Sequence, residues 1–367
     1  MNRHMRRLLH PGLATLLVGL TLASPALAAD DGDGDGGWKP APYTLGQGLY
    51  FPGQGLRVGG YADLNFYSVQ GTKTSYNVRD LSLFITQDIG TRWQLFTEIE
   101  ATNPVNSTGR TDDDDAELDI ERLYADYHAN QAITFRFGKF LTPVGEWNLV
   151  HADPLTWTVS RPLSTSAAFA RHANGAMMFG TLPVSGNDLD YWVFADDSKD
   201  LNIGRDQDNA YTNFGTTETL QNNFRQAIGG RVLYHLMGDS LSVGASTLNY
   251  ELESPREKYW LNGIDFSWTS RYVSLTGEGI YRSSTSNQPD ERGGFVQAEV
   301  PLWRRLYFIG RYERYRSSTP AQTSTIRTTA LNFKPIEGVV LKLEYRDGSH
   351  NELLAPTGWL ASVAVLF

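Results

Sequence analysis

The residues of this chain that could do chemistry are charged side chains recurring at every second position. Arg136, Arg231, Arg311 and Glu313 occupy the polar positions of alternating segments, while Glu146, His151, Asp153 and Arg161 crowd into one long stretch between two such segments. Residues two apart share one face of an extended strand. Acids such as Asp63, Glu98, Asp126, Glu278 and Glu344 therefore share faces with Arg122, Arg282 and Lys342. Guanidinium and carboxylate groups lining a wet passage make no covalent chemistry; they bias which ions and polar solutes pass. The spacing suggests a basic wall of Arg136, Arg231 and Arg311 facing Glu146 and Asp153 across such a passage.

Catalytic and metal-binding patterns are not found. The chain has neither a Gly-x-Ser-x-Gly elbow nor a phosphate-binding Gly-rich loop, and its lack of cysteine removes thiol catalysis and zinc–thiolate sites. His128, His151, His172 and His235 are scattered without metal-ligand spacing. Asp31, Asp33, Asp35 and Gly36 mimic the first half of a calcium loop, but Pro42 stands where the twelfth-position acid is needed, so the stretch reads as a solvated linker. Asp112 to Asp115, with Glu117 and Asp119, read as a solvated acidic run in an outer loop, with divalent-cation binding the weaker alternative. No cofactor, no metal and no enzymatic activity are expected.

The elements that must position the charges are strands. Arg3, Arg6 and Arg7, an apolar run over 13–22 and Ala26-Leu27-Ala28 read as a signal peptide, residues 1–28. Removing its three arginines leaves 29 basic against 41 acidic residues, a net charge near −12 that excludes nucleic acid as a partner. A Gly/Asp/Pro-rich leader, 29–55, precedes sixteen alternating segments over 56–367. No apolar run after the signal is long enough for a membrane helix. Tight connections such as Gly238-Asp239 and Glu337-Gly338 alternate with long ones such as 103–117, 142–170 and 197–221. Short turns on one rim and long loops on the other are the asymmetry of a membrane barrel. Its lipid-facing side tolerates no mid-depth charge, so both signs must line a hydrated interior. The expected fold is all-β: a transmembrane antiparallel barrel of about 16 strands. The longest insertion, 142–170, is expected to fold inward as a constriction, with Pro143, Pro154 and Pro162 preventing regular structure and Trp147, Trp157 and Phe169 packing it on the wall.

The stretch from Arg136 through Phe137-Gly138-Lys139-Phe140-Leu141-Thr142-Pro143-Val144-Gly145-Glu146-Trp147 to Asn148 resembles the strand-into-loop segment of bacterial porins, most of all the superfamily of phosphate-selective porins O and P. Tyr124-Ala125-Asp126-Tyr127 and the terminal Phe367 fit the same pattern. The resemblance implies a 16-stranded, usually trimeric pore in the outer membrane of a Gram-negative-type bacterium, with Phe367 read by the barrel-insertion machinery. Lipid and lipopolysaccharide would surround it, and small polar solutes or ions would diffuse through it. The chain lacks the dense lysine cluster and basic balance of a phosphate-selective member. The alternatives are a non-conducting barrel with an adhesive or structural role, and a barrel lipase, which would need a nucleophile beside a histidine on the outer wall.

Overall fold

The structure is a computed structural model describing residues 38–106, 117–150, 152–166, 168–198, 223–252, 256–285, 289–318, 321–349 and 355–367. The expected signal peptide, the Asp31–Asp35 mimic, the Asp112–Asp115 run and His151 lie outside the described residues.

The strands are Leu49–Phe51 (β1), Leu56–Val69 (β2), Ser75–Ile89 (β3), Trp93–Asn106 (β4), Glu117–Asn130 (β5), Ile133–Leu141 (β6), His172–Val184 (β7), Asn187–Asp196 (β8), Phe224–Leu236 (β9), Leu241–Leu252 (β10), Lys258–Thr269 (β11), Ser274–Ser284 (β12), Glu291–Trp303 (β13), Leu306–Arg316 (β14), Thr323–Phe333 (β15), Val339–Ser349 (β16) and Gly358–Leu366 (β17). From β2 to β17 each strand pairs antiparallel with the next, and β17 returns to β2 in the register Gly358↔Val69 to Leu366↔Tyr61. The barrel is closed with 16 strands. Phe367 extends this seam by exchanging two 2.9 Å backbone hydrogen bonds with Gly60. Closure is what lipid demands, because hydrocarbon satisfies no open-edge N–H or C=O.

The leader differs from the expected solvated linker: within it, β1 pairs with the start of β2 (Leu49↔Val58, Phe51↔Leu56). There β2 runs past the end of β17, and β1 covers an edge that would otherwise be open.

Alternation holds along most strands. On β16, Leu341, Leu343 and Tyr345 face out, whereas Lys342, Glu344 and Arg346 are buried. Exposed aromatics form two bands on the outer wall, Trp93, Tyr272 and Trp303 toward the short turns and Tyr76, Trp260 and Trp359 toward the long loops. Such girdles mark the two membrane interfaces. No helix among the described residues is long and apolar enough to cross a membrane; the crossing is made by strands.

Candidate functional site

Segment 142–170 leaves the wall at β6 and re-enters at β7. Thr142 fixes its two ends together, its N–H donating to the Arg171 carbonyl and its hydroxyl to the Ala170 carbonyl, both at 2.8 Å. The prolines do not simply prevent regular structure. Pro154 sits inside a 3₁₀ turn, Asp153–Leu155, and Pro162 directly precedes a helical turn, Leu163–Ser166. A ring-locked φ near −65° and a missing N–H suit the first turn of a helix.

Three anchors carry the segment across the barrel. At the first, Glu278 of β12 accepts the N–H groups of Glu146 (2.8 Å) and Trp147 (2.6 Å). Gly145 makes this approach possible: its φ is +64°, and a Cβ there would collide with the Glu278 carboxylate. The Trp147 ring meets Phe295 edge-on at 5.7 Å. At the second anchor, Asp153 is held by Lys342 Nζ (3.1 Å) and the Ser362 hydroxyl (2.6 Å).

The third anchor is the most extensive. Glu344 accepts the N–H groups of Val159 (2.8 Å) and Ser160 (3.0 Å) and the Ser160 hydroxyl. Arg311 donates to the Thr158 hydroxyl (2.7 Å), the Ser160 carbonyl (3.0 Å) and the Ser160 hydroxyl (2.7 Å), and Glu313 accepts the Leu163 N–H. Counting barrel strands from β2, β6 is the fifth and β14, which carries Arg311 and Glu313, is the thirteenth. Eight steps around sixteen strands is half the circumference, so the segment reaches the inner face opposite its root. Apolar packing supports it, with Val144, Leu163 and Phe169 joining Phe140, Tyr250 and Ile326 in one buried cluster.

Among the described residues, the expected wall of Arg136, Arg231 and Arg311 makes no ion pair with Glu146 or Asp153. Arg136 is in a two-pronged pair with Asp126, its register partner on β5, at 2.7 and 2.8 Å, and lies 3.6 Å over the Tyr124 ring. Arg231 reaches past β10 to Asp265 on β11, at 2.5 Å, over Gly244, where a Cβ would strike that carboxylate. Only Arg311 meets the segment, on hydroxyl and carbonyl oxygens rather than acids. Asp153 takes Lys342 instead. Glu146 is half-buried; burial pushes its carboxyl above the usual range, with Arg231 opposing. The cause is register and reach: strand pairing puts Asp126 beside Arg136, Gly244 lets Arg231 pass to Asp265 two strands away, and alternation cannot foresee either partner.

Arg161 is different. It is buried, its Nη1 has no hydrogen-bond acceptor among the described residues, and burial, then Arg171 and Arg79, push its guanidinium down from the ordinary arginine value. Arg79 was not legible as a neighbour of this group. The pairing of β3 with β4 slips between Val78 and Asp80, and this bulge breaks the parity that alternation relies on. No group of His, Asp or Glu among the described residues could hold a metal ion.

Residues 55–180 match the family model for phosphate-selective porin O and P. An uncharacterized protein of Aquifex aeolicus is 22% identical over 346 residues, covering 81% of this chain and 76% of that protein. Among solved structures, the anion-selective porin from Comamonas acidovorans aligns with a TM-score of 0.57 at 13% identity, over 85% of this chain and 98% of its own. OmpF of Salmonella typhi, solved with daunomycin, aligns with a TM-score of 0.59 at 11% identity, over 87% and 98%. A closed barrel, greasy outside and ionised inside, thus coincides with a family match over the strands that flank the crossing segment: the chain has the fold of outer-membrane porins, and over residues 55–180 it resembles the phosphate-selective porin O and P family.

Proposed function

We propose that the protein lets small polar solutes and ions diffuse passively through a lumen narrowed by segment 142–170, acting as a channel and not a catalyst. The observation carrying this is the set of hydrogen bonds from that segment to Arg311, Glu313 and Glu344 on the far side of the bore. The near-complete burial of inward ionised groups, with Glu98 and Glu344 at 0% and Glu313 at 1% exposure, favours a narrow passage over a wide one. Arg161 supports an anion route: a buried guanidinium short of an acceptor, flanked by two further arginines, is stabilised when a carboxylate or phosphate oxygen comes within reach. This agrees with the phosphate-selective description of the matching family. The likeness to porins also supports a homotrimer, and the N-terminal pattern supports export with removal of residues 1–28.

Planar bilayers test the reading. Purified protein should give discrete ion-conducting steps, and Arg161→Gln should lower the anion-to-cation permeability ratio in a salt gradient. No conductance at all would overturn the channel and favour the structural barrel; an unmoved reversal potential would remove Arg161 from the pathway.

A further inference from the structure

The outer wall, not the lumen, carries a feature that diffusion does not use. A groove of about 610 Å³ runs across β11 to β15 and is lined by Asn262, Ile264, Tyr281, Arg292, Arg314 and Arg316, among others. That volume lies within the roughly 300–1,000 Å³ of pockets that hold small ligands. Its floor is backbone. Gly279 and Gly294 are register partners on β12 and β13, so the wall drops by the height of two side chains where they meet. Ile264 (70% exposed) and Tyr281 stand along one side.

The other side is cationic. Arg292 and Arg316 are direct register partners on β13 and β14, and Arg314 lies two residues below Arg316 on the same face. All three are exposed, and among the described residues none is within ion-pair distance of a carboxylate. The neighbouring Glu291 faces inward, where it is held by Arg282 (2.8 Å) and the Tyr315 hydroxyl (2.8 Å). At the groove's edge, Asp290 accepts the Tyr281 hydroxyl at 2.6 Å. Unpaired arginines clustered on the lipid face of an acidic chain need an explanation. At mid-membrane each would cost about 2–4 kcal/mol, falling to about 0–1 near the interface. Arg316 ends β14 and Arg292 is the second residue of β13, so the cluster lies at the strand ends of the long-loop rim, the exterior side by the usual asymmetry.

We propose that this groove binds a phosphorylated, acylated glycolipid of the outer leaflet. The three guanidiniums hold its phosphate groups, and the glycine-floored trough beside Ile264 and Tyr281 takes an acyl chain. Arginine suits the task because its planar fork pairs phosphate oxygens two at a time and sheds its hydration more readily than lysine. Apolar trough and cationic rim meet at the depth where such a lipid changes from chain to headgroup.

The test uses the full-length folded protein in detergent, with diphosphoryl hexa-acyl lipid A as the probe and native mass spectrometry as the readout. Wild type should retain the lipid; the Arg292→Gln/Arg314→Gln/Arg316→Gln variant should bind it at least tenfold more weakly. Arg271→Gln/Arg304→Gln, at the short-turn rim, should bind as wild type. Heat-modifiable migration on gels reports whether each barrel is folded, and single Arg314→Gln, expected to weaken binding severalfold, serves if the triple variant does not fold. Equal binding of fully dephosphorylated lipid, or competition by millimolar inorganic phosphate with no dependence on acyl chains, would overturn the proposal. So would a triple variant that loses self-association in lipid-free detergent, since the patch would then be a contact between copies of the chain.

Discussion

Two arcs of the same wall use the same kinds of residue differently. On β4 to β6 the inward charges satisfy one another across adjacent strands: Arg122 with Glu98 at 2.5 Å and Arg136 with Asp126 at 2.7 Å, each a pair of register partners. On β12 to β16, Glu278, Glu313, Glu344, Arg311 and Lys342 turn away from their neighbours and hold backbone and hydroxyl groups of segment 142–170. A charged strand face can thus be a self-contained wall or a socket, and only the chain laid against it decides which. Self-pairing leaves an arc independent of the loop; a socket holds the loop in place.

The sharpest way to break the contrast is to empty the socket. Glu344→Ala together with Arg311→Ala removes every polar contact of the third anchor except the Glu313–Leu163 bond. Single-channel conductance should rise severalfold with noisy gating, while heat-modifiable migration shows an intact barrel. Unchanged conductance would sink the constriction reading. The self-paired arc should behave in the opposite way. Asp126→Ala leaves the half-buried Arg136 without its partner, a change that should cost about 1–3 kcal/mol. Barrel stability in denaturant should fall while conductance stays near wild type, and Asp126→Leu/Arg136→Met should recover most of the stability.

A smaller effect sharpens the role of the first anchor. Gly145→Ala places a methyl group against Glu278 in a left-handed backbone and should cost about 1–3 kcal/mol. Loosening Trp147 this way should raise conductance less than emptying the third anchor, as ion-current recordings under matched voltage would show. The smallest expected effect is pH-dependent. Burial raises the Glu146 carboxyl above its ordinary 4.5, so the docked segment binds a proton that the released segment gives up. Docking is therefore fully stabilised below that ordinary value and weakens as pH rises through the raised one. Open-channel noise should grow slightly over that window, and Glu146→Gln should flatten the dependence; a steeper profile in the variant would contradict this assignment.

Much of the wall could be read in advance because strand alternation is local. The alternating segments expected over 56–367 begin with Leu56–Val69 and end with Gly358–Leu366 in the structure, and the expected tight connections at Gly238-Asp239 and Glu337-Gly338 do join neighbouring strands. The site was legible only in part. Pro, Trp and charge content marked 142–170 as the unusual connection, and Trp147 and Phe169 do pack inside. Its anchors were visible only as inward-facing residues, since nothing near Glu344 in the chain signals a contact with Ser160.

The local residue pattern specified which side of each strand is greasy, a count of about 16 strands, and where the long insertion falls. All of this follows from side-chain direction repeating every two residues. Tertiary structure alone decided which ions pair, how a bulge brings Arg79 near Arg161, and where the insertion goes. Those outcomes rest on contacts between residues far apart in the chain, such as Asp153 with Ser362, and on the closure of β17 onto β2. Register and closure are properties of the assembled sheet, so no single stretch of residues encodes them.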